Sequence, residues 1–169
     1  TGVQTCALPI LGESAYNSLL APVVERLRSA GLIEISDGAE VVFPKGFVNR
    51  ENEPLPLIIR KTNGGYNYAT SDLACVIDRV ERIGANVVLY VMGAPQAQHF
   101  EMVAAVSRMT GWVPSASELT HVAFGNVLGA DRKMLKSRSG EAVKLDALLN
   151  ESVERAAIAV KEKNADLHA

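Results

Sequence analysis

The sequence predicts an α/β fold: a parallel sheet packed by helices, with a small antiparallel β insertion near one edge. Three observations predict it. Val87 to Met92 is a continuous apolar run of strand length, as expected of a strand buried on both faces. Helical stripes stand before and after it, at Leu73, Val76, Ile77, Val80 and Ile83, then at Phe100, Val103, Val106 and Met109. A second strand candidate, Leu119 to Phe124, follows, so helix and strand alternate as they do in a parallel sheet.

Residues 1–10 carry no charge and no clear periodicity. They are expected to be a disordered leader foreign to the fold, with the domain occupying 11–169. Leu19, Leu20, Val23, Val24 and Leu27 share one helix face. Pro22 belongs in a first turn, which predicts a start near Ser18, and Gly31 supplies a left-handed stop. Leu32 to Ile35 and Val41 to Phe43 flank Asp37-Gly38, a hairpin pattern. After a polar connector from Pro44 to Pro56, Leu57 to Arg60 and Tyr66 to Tyr68 flank Asn63-Gly64-Gly65, a second hairpin. Residues 32–68 thus form the antiparallel region, and 71–169 the α/β half.

Ser71 has the chemistry of an N-cap, with Asp72 in the first helical turn and Gly84 as the stop. Gly93 to Gln98 loops into a helix from about His99 to Thr110, closed by Gly111. Gly125 to Gly140 is glycine-punctuated and aperiodic, and loops of that length are often functional. Leu145, Leu148, Leu149, Val153, Ala156 and Val160 mark a final helix.

A chain of 169 residues, 48% hydrophobic and 21% charged, suits one globular domain with a sizeable core. A net charge of −2 argues against a broadly basic, nucleic-acid-binding surface, so such contact needs a local patch. Two cysteines, Cys6 and Cys75, and three scattered histidines give neither a disulfide framework nor a zinc spacing, so no metal site is expected. There is no membrane-length apolar run and no secretory pattern at the start, which makes a reducing cytoplasm the expected location.

The local patch is Arg132 to Gly140, Arg-Lys-Met-Leu-Lys-Ser-Arg-Ser-Gly, with four basic side chains (Arg132, Lys133, Lys136, Arg138) and no acid. A mobile cationic loop of this kind can fold over a polyphosphate. On its own it reads more readily as a solvated loop with no ligand. Ligands of parallel sheets bind beyond the carboxyl ends of the strands. Gly93 to His99, Gly125 to Gly129 and the basic loop all leave strand ends, and Tyr68 and Asp72 stand where an edge strand hands over to a helix. These groups are expected to converge on one crevice.

In this order, several stretches resemble the class I arginyl-tRNA synthetases. They are Leu55 to Lys61, Gly64-Gly65-Tyr66-Asn67-Tyr68-Ala69-Thr70-Ser71-Asp72-Leu73-Ala74, Tyr90-Val91, Gln96 to Phe100, His121-Val122-Ala123-Phe124-Gly125 and Lys133 to Gly140. The last is similar to the class signature usually written KMSKS, with Leu135 where serine is common. Together they cover roughly Leu11 to Asp166. The resemblance implies the C-terminal half of a Rossmann-like nucleotide-binding domain. It also implies a two-step reaction. Arginine and ATP, with Mg2+, give arginyl-adenylate and pyrophosphate, and the arginyl group then passes to the terminal ribose of tRNA(Arg).

The same resemblance implies residue roles. Lys136 matches the second lysine of the signature and would neutralise the transferring phosphate, while Lys133 would assist and Ser137 would let the loop close. Tyr68, Asp72 and Gln96 would contact the arginine side chain. His121, Phe124, Gly125 and Val127, with Lys133, Lys136 and Ser137, would hold ATP, the adenine being read by backbone groups. Each residue has a plainer alternative: Lys133 as a solvent-facing lysine, Asp72 as a first-turn helix charge, Gln96 as a loop amide bonded to nearby backbone. His99 either touches ligand or only begins a helix. Met92, Met102, Met109, Trp112 and Cys75 suit packing better than chemistry.

The class's histidine-containing signature is not found in this sequence. The expectation is therefore a partial catalytic domain, not competent alone, whose N-terminal catalytic half and C-terminal anticodon-binding domain lie elsewhere. A half-sheet of this kind should expose an apolar face and self-associate. A non-catalytic nucleotide- or tRNA-binding remnant of a synthetase is the alternative. No Gly-x-Gly-x-x-Gly turn follows a strand and no Gly-Lys-Ser/Thr loop is present, which argues against a dehydrogenase or a P-loop ATPase.

Overall fold

The computed structural model describes residues 11–125 and 144–164, which belong to two units divided after Gly125. The expected leader and the basic loop lie outside the described residues.

In the first unit a 3-10 turn, Glu13–Tyr16, leads into α1 (Asn17–Ser29), which buries Val23, Val24 and Leu27. The helix starts next to the expected Ser18, but Pro22 sits inside it rather than in its first turn. A proline there leaves the carbonyl of Ser18 without its helical donor, but Ser18 and Pro22 are both exposed, so water can take that carbonyl. Gly31 leaves the helix at φ 68°, a conformation costly for any residue with a Cβ.

β1 (Glu34–Ser36), β2 (Ala39–Val42) and β3 (Leu57–Arg60) form an antiparallel sheet in the order β1-β2-β3. Asp37 and Gly38 both have positive φ, 49° and 76°, as a two-residue hairpin turn with the right twist requires. The expected second hairpin is only half made. Arg60 pairs with Tyr66 in an isolated bridge, and the chain then turns into α2 (Tyr68–Ile77) instead of extending a fourth strand. Buried Thr70 explains the turn, because its hydroxyl donates to the Ile59 carbonyl at 2.5 Å and ties the helix start to β3.

This moves the helix start upstream of the expected Ser71 cap. Asn67, extended at φ −104° and ψ 169°, occupies the cap position, and Asp72 is in the second turn. A π-helical turn, Asp78–Arg82, continues α2 until Gly84 ends it at φ 72°. α2 lies at the centre of the core. Leu73 and Val76 are fully buried with Leu27 of α1, Ile59 of β3 and Val103 and Val106 of the helix that follows.

β4 (Val87–Gly93), α3 (Ala97–Met109) and β5 (Glu118–Phe124) make a parallel βαβ unit, with Val87 opposite Glu118 and Gly93 opposite Phe124. Gly111 stops α3 at φ 72°. Phe100, Val103 and Val106 point inward as expected, whereas Met109 is partly exposed near the helix end. Trp112, Met102 and Cys75 belong to the core. Burial pushes the Tyr90 hydroxyl up to about 12, against the opposing pull of Arg79, whose guanidinium carbon lies 5.1 Å from the ring. It stays neutral at working pH.

The expectation that Val87 to Met92 is buried on both faces is corrected. Val88 and Tyr90 face α2 and α3, but Leu89 and Val91 are 60% and 68% exposed, with Val122 and Phe124 on the same open face of β5. The uninterrupted apolar run is therefore a sheet covered on one side only among the described residues. Contiguous apolar surface favours association. The chain is expected to self-associate at micromolar concentration and Val91→Lys to shift it toward monomer in sedimentation velocity. A monomeric unsubstituted chain across the concentration series would contradict this.

The second unit contributes α4 (Leu145–Lys163), whose described side chains are almost all exposed, Leu149, Val153, Ile158 and Val160 among them. Among the described residues, no helix is long and apolar enough to cross a membrane.

Candidate functional site

The site is built at the start of α2. Tyr68 and Asp72, one helical turn apart, lie on the same face. β4 ends at Gly93, and a 3-10 turn, Ala94–Gln96, swings the chain into α3. That turn presents Gln96, and the first turn of α3 presents His99. The turn before α1 adds Glu13. Together Glu13, Tyr68, Ser71, Asp72, Gln96 and His99 line one cleft of about 410 Å3.

The polar geometry is specific. His99 Nε2 lies 2.7 Å from Asp72 Oδ2, each side chain about one-third exposed. A carboxylate only accepts, so this nitrogen carries the proton. The Ser71 hydroxyl lies 2.8 Å from Glu13 Oε1 and 2.9 Å from the Tyr68 carbonyl. Tyr68 is exposed at the mouth of the cleft. Two carboxylates, an amide and a phenol facing one space suit a planar cation with N–H groups around its edge.

The plainer alternatives for two residues weaken. Helix-dipole stabilisation of a carboxylate fades beyond the first turn, and Asp72 lies in the second. The Gln96 amide makes no hydrogen bond to any described residue, so it is not held by neighbouring backbone there. Glu13 and Ser71 were not anticipated. Glu13 lies in an aperiodic stretch and meets Ser71 across 58 positions of sequence, a contact no local pattern signals.

The expected nucleotide residues fare unevenly. His121 does not line the cleft. Strand alternation puts it on the inner face with Leu119, where Nε2 lies 3.1 Å from the Met92 carbonyl and the ring centroid 5.6 Å from that of Phe100. Phe124 and Gly125 stand exposed at the carboxyl end of β5, one strand over from the turn that carries Gln96. A Cβ at Gly125 would meet no atom of the described residues within 4 Å. Val127, Lys133, Lys136 and Ser137 lie outside the described residues. Among the described residues no three His, Cys, Asp or Glu side chains gather into a metal-binding group.

Comparison with known proteins bears on what such a cleft belongs to. The family described as tRNA synthetases class I (R), catalytic domain, matches residues 3–169. The arginine–tRNA ligase of Thermobifida fusca is 51% identical over 158 residues, 94% of this chain and 27% of the relative. That of Trichodesmium erythraeum is 52% identical over 145 residues, 86% of this chain and 25% of the relative. Among solved structures, the arginyl-tRNA synthetase of Plasmodium falciparum superposes with a TM-score of 0.70 at 29% identity, over 94% of this chain and 25% of that one. The Thermus thermophilus arginyl-tRNA synthetase shares the fold at a TM-score of 0.63 and 20% identity, over 93% of this chain and 31% of that one. The chain spans about a quarter of the length of the curated relatives it matches. With the family match running through nearly every residue, the α/β chain belongs to the class I arginyl-tRNA synthetases, as part of their Rossmann-like catalytic domain.

Proposed function

We propose that this chain supplies the amino-acid-selecting side of an arginine–tRNA ligase acting in the cytoplasm. The arginine carboxylate attacks the α-phosphorus of ATP and pyrophosphate leaves. The arginyl group then passes to the terminal ribose of tRNA(Arg), and AMP leaves. The single observation that supports this most is that Tyr68, Asp72 and Gln96, separated by up to 28 positions, line one cleft.

In this reading Asp72 accepts two N–H groups of the guanidinium, Gln96 and Tyr68 orient it, and Glu13 adds a second carboxylate. ATP falls to the residues the family resemblance names for it, His121, Phe124, Gly125, Val127, Lys133, Lys136 and Ser137. Mg2+ accompanies the nucleotide as its counter-ion. The test is ATP–pyrophosphate exchange by a full-length ligase carrying this sequence. Exchange that requires arginine, and is not supported by lysine or citrulline, is expected. Exchange indifferent to arginine, or none at all, would favour a non-catalytic remnant.

A further inference from the structure

We infer that His99 is a positioning residue of the guanidinium subsite, holding one oxygen of Asp72 so that the other faces the ligand. The inference rests on the arginine reading of the cleft and deepens it. Asp72 is one-third exposed on a helix, and a carboxylate so placed is free to exchange rotamers. The 2.7 Å hydrogen bond from His99 Nε2 to Oδ2 removes that freedom and leaves Oδ1 and the spare lone pairs for a guanidinium edge.

His99 is itself fixed. It follows the Ala94–Gln96 turn in the first turn of α3, and α3 packs on α2 through Phe100, Val103 and the buried face that carries Leu73. The donor comes from the helix next door, so its position does not depend on the Asp72 rotamer.

The imidazole is a planar donor with a single N–H on Oδ2, which orients the carboxylate. A lysine at the same place would donate as well, but would cancel the charge and repel an incoming cation. The alternative is a hydrogen bond that merely clips α2 to α3. The two differ in what substitution does.

The test compares His99→Gln, His99→Lys and His99→Leu with the parent in arginine-dependent exchange by the full-length ligase, with thermal melts alongside. His99→Leu is expected to raise the arginine KM about tenfold, with kcat and the ATP KM within about threefold. His99→Gln, a neutral donor of similar reach, is expected to restore the arginine KM to within about threefold. His99→Lys is expected to be at least as defective as leucine. A clip would lower the melting temperature without this split between arginine and ATP. Gln and Lys variants with equal arginine KM values, or an unchanged KM in the leucine variant, would overturn the inference. If Asp72→Asn leaves the arginine KM unchanged as well, the arginine reading falls too. If only Asp72→Asn raises it, the role of His99 alone is refuted. Glutamine and lysine are both polar, so their comparison stays decisive where leucine costs stability.

Discussion

Asp72→Asn is expected to raise the arginine KM by about 100-fold or more while leaving the ATP KM within about twofold. Asparagine keeps the size of the side chain and the second-turn position in α2, so the fold has little to lose. What changes is charge and donor pattern. The His99 Nε2–H now 2.7 Å from Oδ2 has to find an acceptor, and the amide offers only its oxygen. Bonding to His99 then turns the amide NH2 toward the substrate, and donor meets donor where a guanidinium would lie. The loss is therefore larger than one missing attraction, because a charged group loses its counter-charge in a partly enclosed cleft. Steady-state exchange at varied arginine, with equilibrium dialysis of labelled arginine, measures it. An arginine KM within threefold of the parent would remove Asp72 from the subsite.

The parts of this site that sequence could and could not reveal differ for physical reasons. Tyr68 reads in the sequence as the end of a strand and Asp72 as the first turn of a helix, so their shared helix face follows only once α2 is seen to start at Tyr68. Gln96 and His99 were legible as residues following a strand end, where α/β folds bind ligands. Gly31, Gly84 and Gly111 stop helices at φ 68°, 72° and 72°, and glycine is what such backbone demands. The start of α2 was misplaced because Asn67 caps by backbone conformation, with no side-chain bond, while the more conspicuous Ser71 spends its hydroxyl on Glu13. Val87 to Met92 carries the composition of a two-sided strand, yet composition records only what a strand tolerates. Which face is covered depends on neighbours distant in sequence. Strand register sends the His121 side chain inward beside Phe100, a placement its motif alone does not give.

Lys136→Ala is expected to lower the rate of adenylate formation by about 100- to 1,000-fold and leave arginine binding within about twofold, the mirror image of Asp72→Asn. Lys136 lies outside the described residues, so the case rests on where charge appears. The guanidinium carries its full charge in free arginine, in the bound complex and in the transition state. Its partner Asp72 therefore contributes uniform binding, which shows in KM. Charge on the α-phosphoryl oxygens and the departing pyrophosphate instead redistributes as the carboxylate oxygen attacks. A lysine at the second basic position of the signature meets that charge mainly in the transition state, which shows in kcat. Rapid-quench measurement of adenylate, at arginine and ATP concentrations saturating for each variant, separates the two effects. A Lys136→Ala variant with an unchanged quench rate would show that the loop takes no part in activation. One whose arginine affinity fell as far as that of Asp72→Asn would mean that both residues serve the amino acid, and the division of labour between cleft and loop would be wrong.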